Sequence, residues 1–209
     1  MVHFMKGSLR IKLLMFLFVV IFSESFTFGV IQGSAHDFSA QSWSNGEICL
    51  PCHTPHNADN TVLSAPLWNH QVTSATFTIY SSPSMVTTPE QPREPSKLCL
   101  SCHDGTIALD SFGGSSGSNF MTGSANLDID LSDDHPISIY WSHQNDILTS
   151  AGCIRCHNPN PTDFNPILPF FDRYIECPTC HDPHNTSNNP RLLRKPLANS
   201  EICFHCHDK

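Results

Sequence analysis

All ten cysteines of this chain fall into five Cys-x-x-Cys-His motifs: Cys49–His53, Cys99–His103, Cys153–His157, Cys177–His181 and Cys203–His207. With 13 histidines in 209 residues, a histidine follows a given cysteine by chance about once in 16, and five times in five on the order of once in a million. A Cys-x-x-Cys pair alone also fits half a zinc site, a redox dithiol or part of a disulfide framework. None of these needs a histidine after every second cysteine. Covalent attachment of haem c does: two thiols add across the two vinyl groups, and the next histidine lies under the porphyrin and binds the iron from one face. The motifs therefore predict five covalently bound haem c groups. The attachment residues are Cys49, Cys52, Cys99, Cys102, Cys153, Cys156, Cys177, Cys180, Cys203 and Cys206. The first axial ligands are His53, His103, His157, His181 and His207.

This load constrains the fold. Residues 1–29 read as a secretory signal peptide: Lys6, Arg10 and Lys12 precede an apolar run from Leu13 to Phe22, and small residues follow, so the end of the segment falls between Gly29 and Ala35. The run is too short to span a bilayer comfortably. Residues 30–209 are then one pentahaem domain, with about 36 residues per haem. The haems must supply most of the core. The predicted fold class is mostly irregular coil with short helices and minimal β-structure. Sixteen prolines and ten glycines agree, because they interrupt every long periodic run. Short helical turns are expected at the motifs. Thr76–Tyr80 and Leu127–Leu131 alternate as extended segments do. Residues 110–123 read as a Gly/Ser-rich loop whose Phe112 and Phe120 are candidates to tuck against a porphyrin. Residues 158–169 carry too many prolines for a helix.

Each iron needs a second axial ligand. Without the motif histidines and His3, seven remain: His36, His56, His70, His135, His143, His184 and His205. Only Met85 and Met121 compete after residue 29. Bis-histidine ligation at low potential follows, since methionine raises the potential. His36, His56, His70, His135 and His184 are the preferred set. His56 and His184 each lie three residues after a motif histidine, too close to reach the far face of the same haem, and so point to a neighbouring one. His205 sits inside a motif and His143 reads as solvent-exposed. Trp43, Trp68 and Trp141 read as packing on haem faces rather than as electron relays.

The spacing also shows a weak repeat. Ile48–Asn57 and Glu176–Asn185 share Cys-x-x-Cys-His-x-Pro-His-Asn. Each is followed by a second motif type, Leu98–Asp104 and Ile202–Asp208. The last three motifs are crowded into residues 153–207, which forces close haem contacts there.

These segments, with His36-Asp-Phe-Ser39, Pro66-Leu-Trp-Asn-His70 and Asp134-His-Pro-Ile137, resemble the doubled Cys-x-x-Cys-His group of multihaem cytochromes c over most of residues 36–209. The resemblance implies bis-histidine haems and electron transfer in the periplasm or outside the cell. It extends to outer-surface cytochromes of metal-reducing bacteria, some of which polymerise into haem-lined filaments. There a histidine near the chain start ligates a haem of the next subunit; His36 and His56 are the matching positions here.

Two arrangements stay open, a conduit built from copies of the chain and a periplasmic shuttle donating to a terminal reductase. A multihaem enzyme is the rival class. It needs an open axial site, which nitrite reductases of this kind mark with lysine in place of the motif histidine, and no Cys-x-x-Cys-Lys occurs. No catalytic residues are therefore assigned. Beyond residue 29 the balance is 8 Lys+Arg against 18 Asp+Glu, or −10. This acidity excludes nucleic acid and anionic membrane as main partners and suits basic redox proteins, further copies of the chain or an extracellular acceptor. An exported location, periplasmic or at the cell surface, fits both the cysteine load and extracytoplasmic haem attachment.

Overall fold

The computed structural model describes residues 30–85, 87–140 and 168–207. The signal segment, the third motif, His143, Trp141 and residues 158–167 lie outside the described residues. So does Asp208, the last residue of the repeat.

Irregular backbone dominates. Helix α1 spans Glu94–His103 and carries the whole second motif. Pro95 in its first turn supplies no N–H where none is needed. Strands β1 (Ile139–Tyr140) and β2 (Tyr174–Ile175) pair antiparallel, Ile139 opposite Ile175. A one-turn helix α2, Cys177–Cys180, carries the fourth motif and packs against α1. The fifth motif lies on a 3₁₀ turn, Cys203–His205. Among the described residues no helix is long and apolar enough to cross a membrane.

The two segments expected to be extended meet each other. Thr78 N–H donates to Ile129 O at 2.9 Å and Thr78 O accepts from Leu131 N–H at 2.8 Å, a parallel contact confined to one bridge, Thr78 with Asp130. The alternation is functional: it turns Phe77 and Leu131 inward onto Leu100 of α1. A second apolar cluster joins Leu168, Leu193 and Ile202, with Cys180 packed against it. Both clusters are small for a chain of this length, as the haem-cored reading requires. Residues 110–122 form the expected loop. Phe112 packs on Trp43 with ring centroids 6.1 Å apart, whereas Phe120 is half exposed.

Candidate haem-binding sites

A single helical turn gives each described motif its geometry. His53 N–H donates to Cys49 O at 2.8 Å, His181 N–H to Cys177 O at 3.0 Å and His207 N–H to Cys203 O at 2.8 Å. Positions three apart on a helix share a face, so both sulfurs of a motif point one way and the histidine follows beside them. The eight described cysteines are unbridged. Burial pushes the Cys52 and Cys180 thiols up to about 11 and Cys102 to about 12, and neighbouring cysteines add to the shift. Among the described residues no three His, Cys, Asp or Glu side chains are grouped so that they hold a metal ion.

The motif histidines are held alike. The ring Nδ1 of His53 lies 2.8 Å from Pro66 O, that of His103 2.7 Å from Ala125 O, and that of His181 2.9 Å from Arg191 O. A nitrogen facing a carbonyl must be the donor, so Nδ1 carries the hydrogen and each ring is oriented with its Nε2 turned outward, as a metal-ligating histidine requires.

The first and fourth motifs share one backbone frame. Thr54 N–H donates to Leu67 O at 2.9 Å and Asn69 N–H to Cys52 O at 2.9 Å. The counterparts are Asp182 N–H to Leu192 O at 2.7 Å and Arg194 N–H to Cys180 O at 2.8 Å. His53 bridges Trp68 as His181 bridges Leu193. Leu67 and Leu192 both take left-handed backbone, φ 55° and 57°, as do Asn57 and Asn185, φ 58° and 54°. Asparagine tolerates this conformation; leucine does so only at a cost in strain, which the surrounding hydrogen bonds must offset. The sequence repeat is therefore a structural one.

Three further histidines stand opposite motif histidines. His184 faces His53 with ring centroids 6.2 Å apart, His36 faces His103 at 6.2 Å, and His135 faces His207 at 6.1 Å. An imidazole nitrogen binds a metal at about 2 Å, and its ring centre lies about 1 Å behind it, so two rings trans across one metal are about 6 Å apart. These pairs have the separation that a bis-histidine iron requires. Burial first, then the imidazoles of His103, His181 and His184, hold the His36 pKa below its ordinary value, while a hydrogen bond to the Pro183 carbonyl opposes them. A neutral imidazole is the metal-binding form.

The structure does not set His56 or His70 opposite a described motif histidine. His56 is exposed, and its ring has no partner among the described residues. His70 is buried, with Nδ1 2.8 Å from Gln71 O and Nε2 3.1 Å from Ala108 O, beside Cys102. His205 turns its Nδ1 to Glu201 O at 2.8 Å. Within the chain His36 meets His103 of the second motif.

Two orphaned polar atoms test the fit of a haem. Among the described residues, the buried Trp68 Nε1–H and Asn185 Oδ1 have no hydrogen-bond partner. Trp68 packs edge-on against His53 at 6.1 Å, and Asn185 directly follows His184. Both orphans flank the same histidine pair, and a haem carboxylate there would be an acceptor for the indole N–H. At the fourth motif, Cys177, Cys180 and His181 open onto a cavity of about 230 Å³. Its walls include Ile79, Leu100, Leu131, Ile137 and Ile175, the apolar surface a porphyrin face needs. The residues present fit the group.

One residue escaped the sequence reading. Glu176 is fully buried between the second and fourth motifs. Its carboxylate accepts from Ser96 Oγ of α1 and from Ser138 Oγ at 3.0 Å, and Arg93 Nε lies 4.0 Å away. Burial pushes its pKa up against the pull of the two serines and Arg93. Ser96 Oγ also accepts from Cys177 N–H at 3.0 Å, so one carboxylate joins α1 to α2. The signal was present: Ile48, Leu98, Gly152 and Ile202 precede the first cysteine of the other motifs, and only the fourth has an acid there.

The attachment turns, the oriented motif histidines and the histidines near them form the arrangement that covalently bound haem c would use. Residues 169–209 match the family described as the doubled CXXCH motif. The match supports a multihaem c-type cytochrome-like family, and the paired motifs indicate covalently bound haem c. Members of such families are typically electron carriers. No curated protein matches the chain.

Proposed function

We propose that the chain is an exported pentahaem cytochrome c, residues 30–209 forming one domain, that passes electrons between bis-histidine haems and catalyses no reaction of its own. The observation that carries this is the set of three histidine pairs, each at 6.1 or 6.2 Å, because an iron with both axial positions filled has no site for substrate. When bound, haem supplies one-electron chemistry at low potential. The chain's own residues attach it, orient its ligands through the carbonyls of Pro66, Ala125 and Arg191, and wall it with apolar side chains. The test is low-temperature electron paramagnetic resonance of the oxidised, haem-loaded protein. Low-spin signals for every iron are expected. A high-spin iron that binds nitrite or cyanide would make it an enzyme.

A second reading concerns assembly. His56 occupies the frame position of His184 yet is exposed and unpartnered among the described residues. In an assembled form His56 ligates an iron of the next copy, and the chain becomes part of a filament rather than a shuttle. Electron microscopy of purified material, with His56→Ala alongside, separates the two: filaments that persist in the variant exclude this role.

A further inference from the structure

The stretch from Cys177 to Asn185 does more than hold one haem. Cys177 N–H donates to Ser96 Oγ of α1 at 3.0 Å, which sets the fourth motif against the second. Cys180 packs against the cluster of Leu168, Leu193 and Ile202, the last of which precedes the fifth motif. His184 faces His53 of the first motif. Asn185 Nδ2 donates to Val30 O at 3.3 Å, tying the stretch to the segment that carries His36; the His36 ring lies beside the Pro183 carbonyl and 6.2 Å from the ring of His103 of the second motif. Local bonds make this possible. The Asp182 carboxylate accepts from His184 N–H at 3.0 Å, from Thr186 N–H at 2.9 Å and from Thr186 Oγ. The turn is thereby rigid, and His184 points away from its own motif.

We propose that Cys177–Asn185 is a junction serving four haem sites: it attaches its own haem, supplies His184 as second axial ligand to the iron held by His53, fixes His36 through Pro183 as second ligand to the iron held by His103, and abuts the fifth motif through Cys180. This rests on the haem reading above. Its consequence is topological. The segment thereby touches the first, second and fifth sites as well as its own, and it is a point of contact between them.

Counting irons in double variants of the haem-loaded protein tests the assignment. His184→Ala converts one iron from low-spin to high-spin. Adding His53→Ala leaves the count at one, because both residues serve the same iron. Adding His181→Ala instead raises it to two. The reverse pattern, one iron with His181→Ala and two with His53→Ala, would overturn the junction. Where a motif-histidine variant fails to load, His184→Met replaces it. The haem bearing the new methionine then shows nuclear Overhauser contacts to Trp68; contacts to Leu193 instead would overturn the assignment. Intact mass separates this failure from that of the parent reading, since haem-free protein sinks both, whereas haem-loaded protein with the reversed count sinks the junction alone.

Discussion

The first and fourth motif regions have nearly the same backbone and different fates. In both, a motif histidine is clamped by a carbonyl of a following turn, and the next histidine enters on a proline and leaves on a left-handed asparagine. In the fourth region the connecting residue is Asp182, a buried carboxylate with three donors, and His184 stands opposite another motif's histidine. In the first it is Thr54, whose single Oγ donates to His56 O at 2.9 Å and accepts from His56 N–H at 3.5 Å, and His56 is left in solvent. A shared local sequence builds the same frame. What the second histidine meets depends on the residue that stiffens the turn and on what packs across from it.

The sharpest break of this comparison is Asp182→Ala against Thr54→Ala. Removing a buried acceptor strands the N–H groups of His184 and Thr186, and about 2–3 kcal/mol of stability is expected to go. Thr54→Ala is expected to cost under about 1 kcal/mol. Denaturant unfolding of the haem-loaded proteins measures both, and equal losses would mean that the turns do not differ in rigidity.

Acid and base then separate Asp182 from Glu176. Burial alone would raise Asp182, but the Thr186 and His184 hydrogen bonds and Arg194 hold its pKa below the ordinary carboxylate value. Its stabilisation is therefore present above that value and lost as pH falls through the folded pKa. Glu176 is raised, so its stabilisation is present at acid pH and lost as pH climbs past the ordinary carboxylate range through the folded value. Asp182→Asn is expected to flatten the acid limb of a stability–pH curve, and Glu176→Gln the limb above it. A Glu176→Gln curve that keeps the wild-type slope there contradicts the assignment.

Smaller effects follow. His56→Ala in dilute, monomeric protein is expected to change thermal stability by less than about 0.5 kcal/mol, since the exposed ring touches nothing described; a larger loss would show that His56 has an internal partner after all. Trp68→Phe keeps the packing on His53 and removes only the orphaned indole N–H. It is expected to shift the potential of one haem and leave the others in place, as read by spectroelectrochemistry. A titration identical to wild type would mean that nothing accepts from this indole.

Much of this was legible in the chain itself. The motifs dictate where helical turns fall, because sulfurs three residues apart must share a face. The alternation in Thr76–Tyr80 and Leu127–Leu131 marks extended segments that turn out to pair. The repeat at Ile48 and Glu176 marks one frame built twice. The carbonyl clamps were not legible, since a main-chain acceptor carries no residue identity. Nor was the pairing of His36 with His103, or of His184 with His53, because residues 67 and 131 positions apart are joined only by tertiary packing. His36 shows this: its place near the chain start resembles a subunit-bridging ligand, and nothing in the sequence marks that its ring lies 6.2 Å from that of His103 in the same chain.

The central claim is that all five motifs carry haem. Intact mass of the exported protein tests it most directly. A chain starting after residue 29 and carrying five haem increments is the expected result. A chain with no haem, or one that holds zinc on its cysteines, would contradict it.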